Sequence, residues 1–294
     1  MRSSGWGALR PVRPPRARPF LKWAGGKSQV YASLKQYIPP ISPDGIYFEP
    51  FLGGGAVFFA LAPKRAVLGD VSQPLITTYS ALKADVRQVI ECLRRRSPPK
   101  SEPEYYELRR ELNRAIPGCA QATGIQRSRF AALFITINHT CYNGLYRVNR
   151  KGEFNVPYGF CISPFIYDQA QLELASEALR KSRAKLVADD YERILANAEK
   201  GDLAYLDPPY EPLSDTSSFT NYTSGGFNTG EQERLSRVVT DLVERGCRVV
   251  LSNSSSPRII GLYKNFRTAR VSVPRAINSV GSRRSAVEEL VVIA

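Results

Sequence analysis

His139 is the only histidine in a chain of 294 residues, and one imidazole can neither build a metal cluster nor run much acid–base chemistry. No metal site is expected. The five cysteines, Cys92, Cys119, Cys141, Cys161 and Cys247, are scattered and include no C-x-x-C pair. That spacing argues against zinc binding and against a disulfide framework, and points to reduced thiols in a cytoplasmic protein. Also missing is any apolar run near the roughly 18 residues that a bilayer span requires. The opening stretch MRSSGWGALRPVRPPRARP has no apolar core of the secretory kind, and residues 1–18 are expected to form a basic, proline-rich, disordered tail. Acidic residues are scarce beside basic ones, 27 against 41, so the net charge is +14 and the isoelectric point about 9.7. An excess of this size favours a polyanionic partner, nucleic acid above all.

Against these shortages, a few strings concentrate unusual residues. In AYLDPPYEPLSDTSSFTNY, residues 204–222, an apolar run ends in Asp207, Pro208, Pro209 and Tyr210. Two prolines surrender two backbone donors and stiffen the turn. That suits a turn that must hold a carboxylate, a free carbonyl and a ring face around something flat. In IYFEPFLGGGAVFFAL, residues 46–61, a short apolar strand from Ile46 to Phe51 runs into Gly53, Gly54 and Gly55 and then a helix. Glycines let the backbone turn sharply and come close to a ligand. A second strand, RAVLGD, ends at Asp70, about 20 residues on. Strand, glycine loop, helix and strand-end acid make a nucleotide-type cradle, in which the acid suits a ribose diol. Upstream, PFLKWAGGKSQV reads as an extended segment from Pro19 to Lys22, a tight turn at Gly25 and Gly26, and a helix from Lys27 to about Tyr37 that Pro39 and Pro40 close.

From about Gln73 to Lys181 the pattern turns helical with charged faces, as in DVRQVIECLRRR and EYYELRRELNRA. It then enters a helix and a long polar-aromatic loop, RFAALFITINHTCYNGLYRVNRKGEFNVPYGF. A compact sheet does not need so long an interruption. Residues 73–181 are therefore expected to form an inserted helical subdomain, with 19–72 and 182–294 building the domain that carries the sheet. AKLVADDY, DLAYLDPPY, CRVVLSNSS, RTARVSV and EELVVIA supply the remaining strands. The expected fold class is α/β, a doubly wound, mostly parallel, seven-stranded sheet with the helical insertion.

The strings FLKWAGGK (20–27), FEPFLGGGAVF (48–58), GD (69–70), CYNGLYRVNRKGEFNVPYG (141–159), DPPYEPLSDTSSFTNY (207–222) and LVERGCRVVLSNS (242–254) follow one another along nearly the whole chain from Phe20. Carrying these strings in this order, the sequence resembles the Dam family of site-specific DNA adenine-N6 methyltransferases, of the D12 class and alpha group. The resemblance implies a methyltransferase sheet, S-adenosylmethionine as methyl donor and duplex DNA as substrate. It sets Trp23, Lys27, Glu49, Phe51, Gly53, Gly55 and Asp70 around the donor, Asp190 and Tyr191 near the donor's adenine, and Asp207 between donor and chemistry. Asp207, Pro208, Pro209 and Tyr210 then form the catalytic turn. An adenine N6 lone pair is conjugated with the ring, and no strong base is at hand to deprotonate the amino group. The Asp207 carboxylate and the Pro208 carbonyl can instead each accept one N6 hydrogen, which biases the nitrogen toward a tetrahedral lone pair. Tyr210 would stack on the base, a contact worth roughly 1–3 kcal/mol, and the base must leave the duplex to be reached.

The resemblance also implies that the loop matching residues 138–160 enters the DNA. Tyr142 and Asn143 fall near the flipped base and its orphaned partner, Leu145, Arg147 and Asn149 among the base-reading positions, and Lys22 where a first-base contact is expected. An arginine suits guanine through O6 and N7. Arg275, Arg283 and Arg284, in the basic string RAINSVGSRRSAVEEL, are expected on phosphate. The implied site is GATC or a related short sequence. GATC enzymes of the family often carry a basic residue after V-P-F/Y-G, where this chain has Phe160. Rival readings are transfer to cytosine N4 or to a protein glutamine, and a DNA-binding protein that has lost catalysis. The aspartate opening the Asp207–Tyr210 motif, the recognition insertion and the intact glycine loop weigh against them. A monomer in the cytoplasm is expected.

Overall fold

The computed structural model describes residues 16–27, 31–160, 166–211, 227–273 and 287–294. Its strands are β1 (Tyr47–Glu49), β2 (Ala66–Asp70), β3 (Lys185–Ala188), β4 (Leu203–Leu206), β5 (Arg248–Ser254), β6 (Arg267–Val273) and β7 (Val287–Ile293). They form one sheet in the order β3-β2-β1-β4-β5-β7-β6, as the α/β reading expects. The first five strands run parallel, and β7 inserts antiparallel between β5 and β6. β1 stops at Glu49, short of the expected Phe51, because Pro50 has no amide for the ladder. Chain order reverses between β1 and β4, and that switch point is where an open α/β sheet leaves a crevice at its strand ends.

The helices are α1 (Tyr31–Leu34), α2 (Ala56–Leu61), α3 (Gln73–Ala84), α4 (Val86–Arg95), α5 (Glu102–Ala115), α6 (Gly124–Thr140), α7 (Gln169–Lys181), α8 (Tyr191–Leu195), α9 (Thr229–Glu244) and α10 (Pro257–Leu262). The helix expected to open at Lys27 is described from Tyr31 and tightens to a 3₁₀ turn over Lys35–Tyr37 before the two prolines. α4 shows why the helical stretch between β2 and β3 folds: Val86, Val89, Ile90 and Leu93 make one buried stripe, and Asp85 caps the first turn by accepting from the Gln88 amide. α6 is buried nearly all round from Phe130 to Asn138, and α3, α4 and α5 pack against it. α3 also lies on β2 and β3, so one helix joins the insertion to the sheet.

Side chains alternate across the strands and feed two separate cores. Tyr47, Leu68, Leu203, Tyr205, Val250 and Val291 join α2, α3 and the insertion in one cluster. Phe48, Ala204, Leu206, Leu251, Leu290 and Val292 join α8, α9 and α10 in the other. Among the described residues no helix is long and apolar enough to cross a membrane.

Candidate active site

The turn after β4 is held from several directions. The Lys27 ammonium lies 2.9 Å from Asp207 Oδ1 and 3.8 Å from Glu289 Oε2, and Lys27 is only 4% exposed. It also donates to the Gly25 carbonyl at 3.2 Å and sits 4.6 Å over the centre of the Tyr210 ring. Burial pushes the Asp207 carboxyl up, and the Lys27 cation pulls it back down. Behind the turn, Gln232 Nε2 donates to the Pro209 carbonyl at 3.0 Å. Glu211, just past Tyr210, accepts from the Ser256 hydroxyl and from Arg258 Nε at 3.1 Å. Pro208 is buried, and among the described residues its carbonyl accepts no hydrogen bond. The Tyr210 hydroxyl and Glu289 Oε2 are likewise buried without a hydrogen-bond partner among the described residues.

The glycine loop after β1 faces this turn across the switch point. Gly53 has φ +48°, and a Cβ there would meet the Trp23 indole at 2.6 Å, so the indole closes directly on the loop backbone. Gly55 caps α2 with φ +68°, close above the Tyr79 hydroxyl, which donates to the Gly53 carbonyl at 3.2 Å. The Asp70 carboxylate accepts from the Gly53 amide at 3.1 Å and from the Ser72 amide at 2.9 Å, so the strand-end acid also shapes the loop. Burial pushes its carboxyl up to about 6, against the pull of those two amides. Glu49 is 3% exposed and accepts from the Tyr47 hydroxyl at 2.7 Å. Burial raises its carboxyl to about 8, countered by the Tyr47 bond and reinforced by the nearby Asp207 charge. Phe51 packs its ring against Tyr191 and Phe227, at 5.2 and 5.9 Å between centroids. Asp190 caps α8 and pairs with both terminal nitrogens of Arg234, whose guanidinium lies over the Tyr191 ring.

A second group of predicted residues gathers around the end of α6. Asn138 accepts from the Lys22 amide and donates to the Lys22 carbonyl, both at 2.8 Å, which fastens the segment before Trp23 to the insertion. Lys22 Nζ reaches the His139 carbonyl at 3.3 Å, and Gly144 lies against the Lys22 side chain. Lys22, Tyr142 and Asn143 are exposed, and Asn143 has φ +53°. The loop beyond is a hairpin bridged at Cys141–Tyr158 and Val148–Phe154. Tyr146, Phe154, Val156 and Tyr158 point inward, while Leu145 packs partly against the same core. Trp23 stacks on Tyr146 at 5.6 Å, so the glycine loop and the hairpin share one wall. Arg147 is exposed and donates from Nε to Asn155 Oδ1 at 2.8 Å. The Asn149 amide is committed to its own turn, accepting from the Lys151 and Glu153 amides and donating to the Glu153 carboxylate. Arg275, Arg283 and Arg284, together with the EPLSDTSSFTNY string beyond Glu211, lie outside the described residues.

The structure thus assembles two clusters, one around Asp207 and the glycine loop and one around Lys22 and the hairpin. Sequence reasoning missed Glu289, Gln232 and Asn253. Each is a polar residue on the buried phase of an otherwise apolar element, which is the signal that could have found them: Gln232 shares its stripe with Leu235, Val239 and Leu242.

A rigid acceptor turn beside a glycine loop, at the switch point of a sheet of this order, is the site of an α/β transferase. Residues 23–277 match the family model for D12 class N6 adenine-specific DNA methyltransferases. The chain is 40% identical over 275 residues to the Type II methyltransferase M1.LlaDCHI of Lactococcus lactis subsp. cremoris, covering 94% of each. It is 37% identical over 292 residues to the Type II methyltransferase M.MjaIII of Methanocaldococcus jannaschii, covering 94% of this chain and 98% of that one. It is 33% identical over 278 residues to the DNA adenine methylase of Escherichia coli strain K12, covering 94% and 95%. The chain belongs to the D12 class of N6 adenine-specific DNA methyltransferases and is an enzyme that methylates DNA.

Proposed function

We propose that the enzyme transfers a methyl group from S-adenosylmethionine to N6 of an adenine flipped out of duplex DNA, at GATC or a related short site. The observation that carries this reading is the turn after β4, where the Asp207 carboxylate is followed by a Pro208 carbonyl that accepts no hydrogen bond among the described residues. Two acceptors match the two hydrogens of one amino group. When bound, S-adenosylmethionine supplies an electrophilic methyl carbon on a sulfonium. The residues around Lys27 fit such a cation: Asp207 and Glu289 share one ammonium, so two largely buried carboxylates face a single positive charge. Trp23, Lys27, Glu49, Phe51, Gly53, Gly55 and Asp70, with Tyr191 and Asp190 at the rim, are the residues that would hold it.

Asp207 and Pro208 then orient the amino group so that its lone pair faces the incoming carbon. Burial pushes the Asp207 carboxyl up, and Lys27 opposes that rise. The same carboxylate is the nearest acceptor for the amino proton that must leave once the N–C bond has formed. Tyr210 holds the base plane, and its ring is fixed beneath Lys27. A base so placed has left its stack, which is the argument for flipping. Lys22, Tyr142, Asn143, Leu145, Arg147 and Asn149 form the surface proposed to enter the DNA, with Arg275, Arg283 and Arg284 on phosphate. Phe160 stands where GATC enzymes of the family often carry a basic residue, so the outer base pair is where a site other than GATC would differ.

Methylation-aware sequencing of a plasmid from a methylation-deficient strain expressing the chain, with mass spectrometry of its nucleosides, tests the reading. N6-methyladenine at one short palindrome is the expected result. N4-methylcytosine alone would overturn it, as would failure of S-adenosylmethionine to bind at equilibrium.

A further inference from the structure

The catalytic turn carries two consecutive proline carbonyls, and the protein treats them differently. Pro209 O receives Gln232 Nε2 at 3.0 Å, while Pro208 O accepts nothing among the described residues. Gln232 is 1% exposed and Asn253 0% exposed, and Asn253 Nδ2 donates to Gln232 Oε1 at 3.0 Å. Asn253 Oδ1 in turn accepts from the Ser254 amide at 2.7 Å. The polarity of this relay is dictated at both ends by backbone. The Ser254 amide can only donate, so the Asn253 atom facing it is the oxygen. The Pro209 carbonyl can only accept, so the Gln232 atom facing it is the nitrogen. Two side-chain amides between these fixed ends have a single consistent orientation.

A leucine at position 232 would continue the apolar stripe of α9, so packing alone gives no reason for glutamine. We propose that Gln232, oriented by Asn253, is a positioning residue that occupies the Pro209 carbonyl and thereby leaves the Pro208 carbonyl as the one backbone acceptor that the turn presents, beside the Asp207 carboxylate, to the target amino group. Gln232 lies in the first turn of α9 and Asn253 near the end of β5, so the relay ties the turn to two rigid elements. The proposal rests on the reading that Asp207 and Pro208 accept from N6.

Three variants test it, each assayed for kcat, KM for DNA, DNA affinity and S-adenosylmethionine affinity. Gln232→Leu keeps the volume and removes the donor. Its kcat should fall by about 10²-fold, the cost of a misplaced reacting group, with both affinities within about threefold of wild type, less than the effect of one lost hydrogen bond. Gln232→Glu adds a readout that a purely structural role would not move. As the carboxylate it opposes the Pro209 carbonyl, and as the carboxylic acid it donates to it. Its kcat, divided by the wild-type value at each pH, should rise as pH falls. Asn253→Asp leaves position 232 intact but offers a second acceptor, which turns the Gln232 amide over and sets Oε1 against Pro209 O. It should reproduce the kcat loss with affinities retained. A pH profile of Gln232→Glu parallel to wild type overturns the proposal. So does a kcat within threefold of wild type for Gln232→Leu, and so does loss of DNA binding together with turnover in all three variants, which would make the relay a stability element. Should Asp207→Ala keep its activity, the acceptor reading itself fails; an inactive Asp207→Ala beside fully active Gln232 variants fails the relay alone.

Discussion

Both faces of the central sheet feed apolar cores, but toward the strand ends they carry opposite kinds of residue. On one side stand Glu49, Asp70, Tyr205, Ser252 and Glu289, with the Asp207 turn and Lys27 beyond them. On the other stand Phe48, Ala204, Leu206, Leu251, Leu290 and Val292 beneath α8, α9 and α10. The partners are sequence neighbours, Phe48 beside Glu49, Leu206 beside Asp207 and Leu290 beside Glu289, so a period of two separates chemistry from packing at single-residue resolution. Burying carboxylates costs desolvation that one lysine offsets only in part. The apolar face has no such cost, and it is the face that can hold the acidic one in place.

The sharpest way to break this comparison is to strike each face in turn. On the proposed reading Asp207→Ala removes one of two acceptors for N6, and turnover should fall by at least about 10²–10³-fold, as when one preorganised group is deleted elsewhere. DNA affinity should remain near wild type, because phosphate contacts lie apart from the turn; a variant with near-normal rate would dissolve the assignment. Neighbours on β7 give a matched pair. Leu290→Ala opens a cavity under α9 and should cost about 2–5 kcal/mol in urea unfolding, with kcat of the folded enzyme retained. Glu289→Gln removes a buried charge, so stability should hold or rise while affinity for S-adenosylmethionine drops. Equal destabilisation by the two, with donor affinity untouched, would show that the faces do not divide the work.

Glu49 sharpens the comparison through pH. Burial lifts its carboxyl from 4.5 to about 8, so the folded protein keeps a proton that the unfolded chain releases. Its contribution to stability is therefore full below about pH 4.5 and is lost progressively as pH rises to about 8, at no more than about 1.4 kcal/mol per pH unit. Glu49→Gln should flatten unfolding free energy over that window, and an unchanged slope would mean that another group carries it. Leu290→Ala, on the apolar face, should shift the whole curve down without changing its slope.

The seven strands, their mostly parallel pairing and the turn after β4 were legible in the sequence because each is written locally. Apolar runs of three to four residues end in Glu49, Asp70 and Asp207, and glycines and prolines punctuate them. Glu289 and the Gln232–Asn253 relay were not legible in this way. Their meaning lies in contacts between elements 20 to 80 or more residues apart, and a glutamine on a helix or a glutamate near a strand end reads as solvated until its neighbours are known. Asn149 illustrates the reverse. The resemblance set it among the base-reading positions, and nothing in the sequence showed that its side chain also bonds its own backbone, as an asparagine two residues before an amide can.

The hairpin supplies the smallest effect and the most specific one. Arg147 is exposed at its outer side while Tyr146 beside it is buried, so the loop repeats the inside–outside alternation of the sheet, and the side chain proposed to read a base faces outward. The bond from Nε to Asn155 sets the plane of the guanidinium, a useful property for meeting O6 and N7 of one guanine together. Arg147→Ala should cost about 1–3 kcal/mol on the cognate site and relax discrimination at one base pair. Asn155→Ala should reproduce part of that loss by freeing the plane. A phosphate contact behaves otherwise: its removal weakens all sequences alike and lowers the slope of log affinity against log salt by about one. Affinities for single-base variants of the site, measured at two salt concentrations, separate the outcomes. A uniform loss would make Arg147 an anchor on the backbone and leave the reading of that base pair to another residue of the hairpin.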